Sequence, residues 1–303
     1  MEGNSQNYPS RPVRIIAVGP RGSQSYAARF LCPALSKELG QEVKVEFVPS
    51  GFVPAETVAK APPDGYTLLL SGRLLWLMQL IRDDAPYDLL RDFAPIVQTT
   101  SGAQVLVVRP DLPVKTAADL IALAKAKPGQ LKYASSRAGG NNHLAPELFK
   151  AMAGVDIKCV EYQNSAERLA ALLGGDVQMF FTGICSFAEE LKTGVLKPLG
   201  LTSAQRLPLL PELPTIAESG LPGYENVTIG ALFAHAKTPA AIVKRLTEAT
   251  MRVMKTPEAK EYFSRDGYEA VGAPPEELVR LINADLKRVG KLLKDLGIQR
   301  IEE

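Results

Sequence analysis

The sequence predicts an α/β protein built on a largely parallel sheet, and three observations support this prediction. The chain has 303 residues, of which 46% are hydrophobic, so it can bury a sizeable core and favours about two domains. Strand-like and helix-like segments alternate through the first two thirds, as in a parallel α/β sheet. A late apolar strand followed by helices then indicates a discontinuous domain.

The strands are predicted from short apolar runs that end at turn-forming residues. The run at 13–18 ends at the turn-forming stretch 19–23, and the proline-glycine turn at 62–66 leads into a strand at 67–70. Further runs of this kind lie at 43–48, 105–108, 132–134, 157–160, 177–181, 196–201 and 229–234.

The helices are predicted from helical spacing of apolar residues and from capping residues at their ends. A threonine followed by a proline fits an N-cap followed by the first helical residue. The predicted helices begin near 26 (ending at Gly40), after Thr116 (ending at 128–129), near 144 (ending at Gly154), after Ser165 (ending at 174–175), after Thr238, after Thr256, and at 275 (ending near 296).

The order of these elements predicts two lobes. Residues 8–104 and 229–303 would form lobe 1, residues 105–228 would form lobe 2, and residues 1–7 would be a polar N-terminal lead. We expect the crossovers near Gln104 and Thr228 to act as hinges.

Composition excludes several classes of protein. The formal net charge is only +2, which does not favour a nucleic-acid partner. Three widely spaced cysteines, Cys32, Cys159 and Cys185, lack the spacing of a zinc site or a disulfide framework. The sequence contains no run of 18 apolar residues, so no membrane span is predicted. The N-terminus lacks the apolar core of a signal peptide. We expect no metal, no cofactor and no nucleic acid.

Three predicted loops at strand ends are rich in small polar residues: 20–25, 71–73 and 135–143. Ligands of open α/β sheets bind at the carboxyl ends of the strands. The first and third loops run into helices, whose N-termini favour an anion, although helices also need such residues simply as caps. Each loop carries an arginine, which either grips a carboxylate or is a solvated surface charge; these are Arg21, Arg73 and Arg137.

An enzyme is the competing class. Ser135 and Ser136 lie near His143 in sequence, but no G-x-S-x-G motif accompanies them. Cys185 has no base beside it in the sequence, and residues 19–22 lack the G-K-[ST] ending of a phosphate-binding loop. We expect no catalysis.

Six ordered segments resemble signatures of one family: YPSRPVRIIA (8–17), VAKAPPDGYTLLL (58–70), PYDLLRDFAPI (86–96), HLAPELFKAMAG (143–154), LLGGDVQMFF (172–181) and LTSAQRLPLLPELPTIAESGLPGY (201–224). Together they resemble the substrate-binding proteins of tripartite tricarboxylate transporters, the Bug-type receptors. The resemblance implies two α/β lobes of the type II periplasmic-binding kind that close on a small organic carboxylate. It also implies a periplasmic monomer, its export signal removed, that delivers its ligand to a membrane permease.

The resemblance places ligand contacts on the first-strand loop, on the glycine-rich loop of the second lobe and on the segments near 163 and 182. Together with the 71–73 loop, this gives the candidate ligand-binding residues Arg21, Gly22, Ser23, Gln24, Ser25, Tyr26, Ser71, Arg73, Ser135, Arg137, Gly139, Gly140, Asn141, Asn142, His143, Gln163, Asn164, Thr182 and Gly183.

The chain departs from the family pattern in these loops. A family loop that usually reads P-A-G-G-G-T-D is PRGSQSY at 20–26, and apolar residues at 74–76 replace a small polar stretch. If Phe52 and residues 74–76 line the cleft, they favour an apolar or aromatic mono- or dicarboxylate over citrate, whose hydroxyl would lose hydrogen bonds to water. The alternative is that 74–80 is a buried helix with Trp76 in the core. A ligand-sensing regulatory paralogue with no transport role is the alternative function.

Overall fold

The computed structural model describes residues 8–19, 23–49, 52–82, 84–135 and 141–295. The strands are β1 (Val13–Val18), β2 (Val43–Val48), β3 (Thr67–Gly72), β4 (Phe93–Val108), β5 (Lys132–Ser135), β6 (Lys158–Glu161), β7 (Met179–Gly183), β8 (Lys197–Leu201), β9 (Val227–His235) and β10 (Tyr268–Ala273). The helices are α1 (Ser23–Leu39), α2 (Val53–Ala59), α3 (Leu74–Ile81), α4 (Leu89–Asp92), α5 (Ala117–Ala126), α6 (Asn141–Ala153), α7 (Ser165–Gly174), α8 (Ala188–Lys192), α9 (Ala240–Met254), α10 (Pro257–Ser264) and α11 (Pro275–Asp295).

The chain divides into two compact units. The first unit comprises Met1–Ser101, Ile229–Ser264 and Glu269–Glu303, and the second comprises Gly102–Thr228 and Arg265–Tyr268. The interpretation of such units as lobes that close on a ligand stays a prediction.

The first unit contains a mixed sheet. β1 pairs in parallel with β2 and with β3, and β9 runs antiparallel to β3. Apolar side chains from neighbouring strands, such as Ile15, Leu69 and Phe233, are fully buried. Leu31 and Leu35 of α1 are buried as well, as expected for the apolar stripe of a helix that packs on a sheet.

The second unit repeats this arrangement. β5 pairs in parallel with β6 and with β7, while the second half of β4 runs antiparallel to β7 and β8. Its core cluster includes Val105, Ala134, Leu172 and Phe180. The α/β class is confirmed, but the sheets are mixed, because β4, β8 and β9 run against their neighbours.

The sequence prediction is wrong about the length of β4, which has 16 residues. The sequence predicts only 105–108 as a strand, because polar residues interrupt the apolar pattern at 98–104. In the structure Gln98, Thr99 and Thr100 are buried, and the ring of Tyr268 in β10 lies against Gly102. β4 pairs with β9 and β10, and this pairing keeps the polar segment extended.

The helix caps are partly as predicted. Thr116 forms a capping box with Asp119, and the Thr256 hydroxyl accepts a hydrogen bond from the amide of Ala259 at 3.2 Å. The N-cap of α7 is Asn164 instead of Ser165, and that of α9 is Pro239 instead of Thr238. Across the described ranges, no helix is both long and apolar enough to cross a membrane.

Candidate functional site

The candidate residues fall into two groups, one on each unit, and some of them lie outside the described residues. In each unit they follow parallel strands, whose carboxyl ends share one edge of the sheet. Arg21, Gly22, Arg137, Gly139 and Gly140 lie outside the described ranges, and the side chain of Asn141 is likewise not described.

In the first unit, the start of α1 lies against the end of β3. A Cβ atom on Gly72 would lie 2.7 Å from Nε2 of Gln24 and 2.4 Å from the carbonyl oxygen of Ile229, so the absence of a side chain at Gly72 permits this close approach. The Ser23 hydroxyl donates to Oε1 of Gln24 at 2.9 Å. Ser25 is buried.

The neighbouring strands extend this group of small polar residues. Ser71 lies opposite Ala231, and Gly72 lies opposite Gly230 of β9. A Cβ atom on Gly230 would lie 2.3 Å from Oγ1 of Thr100. Sequence reasoning missed this contact, because a glycine inside an apolar strand looks like simple packing.

Tyr26 has a structural role in this unit. Its hydroxyl donates to the carbonyl oxygen of Tyr262 at 2.6 Å, and the two rings stack with centroids 4.6 Å apart. The structure therefore places Tyr26 in the contact of α1 with α10, and we withdraw it from the candidate ligand contacts.

Arg73 is also reassigned. It is only 2% exposed, and its Nε and Nη2 atoms donate to the two carboxylate oxygens of Asp285, each at 2.6 Å. Trp76 Nε1 donates to the same carboxylate at 2.8 Å. Burial by itself would raise the pKa of Asp285, but the hydrogen bonds from Arg73, Trp76 and Arg288, together with the charge of Arg73, hold that pKa below its usual range. This bidentate pair occupies the guanidinium group that was predicted to grip a ligand.

The predicted apolar wall does not form as one surface. Leu75 and Trp76 are buried in the first unit, while Leu74 is 42% exposed. Phe52 packs edge-on against Tyr87, with ring centroids 6.0 Å apart. The structure supports the alternative in which 74–80 is a partly buried helix with Trp76 in the core, so these residues do not disfavour citrate.

In the second unit, Asn142 connects the start of α6 to the end of β5. The Ser135 hydroxyl donates to the carbonyl oxygen of Asn142 at 3.3 Å. Nε2 of Gln104 donates to Oδ1 of Asn142 at 2.6 Å. The side-chain oxygen of Asn142 is thus occupied by the protein, and the half-buried side chain keeps its NH₂ group as the donor for another acceptor.

Gln104 is held by a network that sequence reasoning missed. Its Oε1 accepts from Nδ2 of Asn226 at 3.4 Å. Its backbone amide donates to the Thr202 hydroxyl at 2.7 Å, and Gln104, Thr202 and Asn226 are all buried. Because these residues are 98 and 122 positions away from Gln104, no local sequence pattern relates them.

His143 follows in the first turn of α6. Its Nδ1 atom lies 3.9 Å from Sγ of Cys159. Burial lowers the pKa of His143, against the opposing effects of Glu147 and Glu161, and burial raises the pKa of the Cys159 thiol. The pair is therefore a neutral imidazole beside a protonated thiol, which is a poor nucleophile.

The remaining candidates differ in whether their polar groups already form hydrogen bonds within the protein. Asn164 caps α7, accepting from the amide of Glu167 at 3.0 Å and donating to its carboxylate at 2.8 Å. Gln163 is exposed, and its backbone amide donates to the same carboxylate at 2.9 Å. Thr182 is buried, and Gly183 lies opposite Gln104 in the ladder of β4 and β7. We found no cluster of three or more His, Cys, Asp or Glu side chains able to hold a metal within the described ranges.

Three comparisons relate the chain to known proteins. Residues 27–298 match the family described as "Tripartite tricarboxylate transporter family receptor". A Pseudomonas sp. (strain P51) protein, the UPF0065 protein in the tcbD-tcbE intergenic region, is 33% identical over 290 residues, which cover 94% of this chain and 86% of that protein. Protein BugT of Bordetella pertussis is 30% identical, over 97% of this chain and 92% of that protein.

A solved structure of similar sequence extends this comparison to the fold. An R. palustris protein solved with adipate has a TM-score of 0.84 and 32% sequence identity to this chain. The match covers 97% of this chain and 100% of that protein.

Proposed function

The chain belongs to the tripartite tricarboxylate transporter receptor family, and we propose that it is a solute-binding receptor for a small organic carboxylate. The ligand would be held by polar groups at the carboxyl ends of parallel strands. The proposal assigns a binding role and no catalytic step to these groups.

The main support for this proposal is the side-chain NH₂ group of Asn142, which has no acceptor among the described residues. Three amides follow one another: Asn226 donates to Gln104, and Gln104 donates to Asn142. In such a chain each oxygen is used by the preceding NH₂ group, so the last amide is oriented as a donor. Asn142 also lies in the first turn of α6, where the helix dipole favours a negative charge.

The ligand class follows from this chemistry together with the comparison. A carboxylate accepts hydrogen bonds without donating any, which matches an NH₂ group at a helix N-terminus. The R. palustris protein that is 32% identical was solved with adipate. We therefore propose an aliphatic dicarboxylate of the adipate type ahead of citrate.

A thermal-shift screen followed by calorimetry tests the proposal. Adipate, malate, citrate and benzoate are compared at equal ionic strength, with 1,6-hexanediol as the uncharged control. A ligand present at 100 times its Kd stabilises the protein by about 2.7 kcal/mol, so at least one acid should raise the unfolding temperature in a concentration-dependent way. The absence of any shift with all four acids would contradict the carboxylate assignment.

Asn142→Asp tests whether the NH₂ group of Asn142 donates to the ligand. The substitution keeps the shape of the side chain but replaces the donor by an anion that repels a carboxylate, so affinity should fall by at least about tenfold. Asn283→Asp, the same change at an exposed position of α11, should leave affinity unchanged. Equal affinities for the two variants would show that Asn142 does not contact the ligand.

We also propose that the protein acts as a periplasmic monomer that delivers its ligand to a membrane permease. The description of its family as transporter receptors supports this role. Light scattering should give a mass near 32.7 kDa. Uptake of labelled adipate by cells that carry a permease of this family should depend on the receptor.

A further inference from the structure

A buried arginine in the second unit has very few partners. Arg168 of α7 is 6% exposed, and its Nη2 donates to the Ser165 hydroxyl at 2.8 Å. Its Nε atom is buried without a hydrogen-bond partner. A guanidinium group has five N–H donors, and burying it without a carboxylate is strongly unfavourable.

The position of Arg168 makes this burial more unfavourable. It lies in the first turn of α7, and the bond to Ser165 shows that its side chain reaches back toward the N-terminus of the helix. The N-terminal end of a helix carries a partial positive charge. A cation at this end is therefore repelled by the helix that carries it.

Glu167, the acidic residue of this first turn, does not neutralise the charge of Arg168. Glu167 accepts hydrogen bonds from the amide of Gln163 at 2.9 Å and from Nδ2 of Asn164 at 2.8 Å. Among the ion pairs of the described residues, none joins Glu167 to Arg168. Burial lowers the pKa of Arg168, and burial is its single cause.

Such an arrangement is typical of a binding site, because natural proteins break local rules mainly where function requires it. An anion placed at the first turn of α7 would pair with the guanidinium group and with the helix dipole together. α7 packs against β5 and β7, and it follows β6 at the same edge of the sheet where α6 follows β5.

We propose that Arg168 and the first turn of α7 form a subsite for one carboxylate of a dicarboxylate ligand, whose other carboxylate is held at the first turn of α6 by Asn142. This inference rests on the proposed function, which supplies a carboxylate ligand. It adds the reason for selecting a dicarboxylate, since two helix N-termini on one unit would each receive one charge.

Calorimetry with adipate and hexanoate tests the subsite, because the two acids share a six-carbon chain and differ by one carboxylate. Wild type should bind adipate at least about tenfold more tightly than hexanoate. Arg168→Met, which keeps an unbranched side chain, should abolish this preference while leaving hexanoate affinity nearly unchanged. Arg168→Lys, which keeps the charge but not the planar fork, should restore part of the preference.

The matched control is Arg206→Met, which removes an exposed arginine that pairs with Glu218 in the same unit. It should bind both acids as the wild type does. An Arg168→Met variant that retains the wild-type preference for adipate would overturn the subsite.

Ligand-free stability gives a second and independent readout. If Arg168 is unpaired without ligand, Arg168→Met should have the same unfolding midpoint as the wild type or a higher one. A midpoint lower by more than about 2 °C would show a structural role and would overturn the proposal. Should the wild type bind neither acid, the proposed function fails for this ligand class, and the midpoint comparison still decides whether Arg168 is structural.

Discussion

Within the described residues, each unit buries one arginine, and the two are held in different ways. Arg73 of the first unit forms two hydrogen bonds with Asp285, whose carboxylate also accepts from Trp76. The side chain of Arg168 in the second unit has one hydrogen bond, to the hydroxyl of Ser165. The partners of a buried charge, more than its place in a polar loop, therefore distinguish a structural group from a candidate ligand contact.

The Arg73 pair also explains how the C-terminal helix is anchored. Asp285 belongs to α11, which packs against α3, and Arg73 is the residue just before α3. The ion pair therefore joins segments 212 residues apart. It fixes the chain just after Gly72 and so helps to position the candidate residues at the end of β3.

Removing the partner of Arg73 gives the largest expected effect. Asp285→Ala would leave a buried guanidinium group without its carboxylate and should lower the free energy of unfolding by about 3–5 kcal/mol. Urea unfolding followed by circular dichroism measures this loss without relying on the fluorescence of Trp76.

The control for this prediction is an exposed pair of the same chemistry. Arg109 and Asp111 form an ion pair in which the aspartate side chain is 67% exposed, so Asp111→Ala should cost less than about 1 kcal/mol. If both variants lost the same stability, the distinction between the buried pair and a surface pair would fail.

A glycine substitution tests how tightly the polar groups of the first unit are enclosed. Gly230→Ala would place a methyl group 2.3 Å from Oγ1 of Thr100 and 2.9 Å from Oγ1 of Thr99. We expect a loss of about 1–3 kcal/mol, because two strands must move apart. Gly174→Ala in α7, with no atom within 4 Å of the new Cβ, should change stability by less than about 0.5 kcal/mol.

The pH dependence of stability should distinguish Arg73, which pairs with Asp285, from Arg168, and the expected effect is smaller. The pKa of Asp285 is lower in the fold than in the unfolded chain, so its contribution is present above about pH 4 and is lost as the pH falls through the folded pKa. The stability advantage of the wild type over Asp285→Asn should therefore shrink on acidification. An advantage independent of pH would mean that the carboxylate charge contributes nothing. Arg168, which has no ion pair among the described residues, should add no such dependence.

The sequence predicted those parts of the fold that local patterns determine. The apolar run of β1 and the capping box at Thr116 are readable from a few neighbouring residues. Asn142 was a candidate because a polar loop precedes a helix, whereas its partner Gln104 lies 38 residues away. Asp285 and Arg168 were missed for the same reason, because burial and pairing depend on tertiary packing and not on spacing in the chain.

The smallest expected effect concerns His143 in the second unit. Burial lowers its pKa in the fold, while in the unfolded chain the imidazole takes up a proton near pH 6.5. The unfolded state therefore binds more protons below that pH, and the free energy of unfolding should fall as the pH drops from about 6.5 toward the folded pKa. His143→Gln should flatten this part of the stability profile, and Asp285→Asn, in the first unit, should leave it intact. Urea unfolding at pH 7.5, 6.5 and 5.5 measures both slopes. Equal slopes for the wild type and His143→Gln would show that the pKa of His143 is the same in the folded and the unfolded chain. The polar groups at the start of α6 would then be less enclosed than the structure indicates.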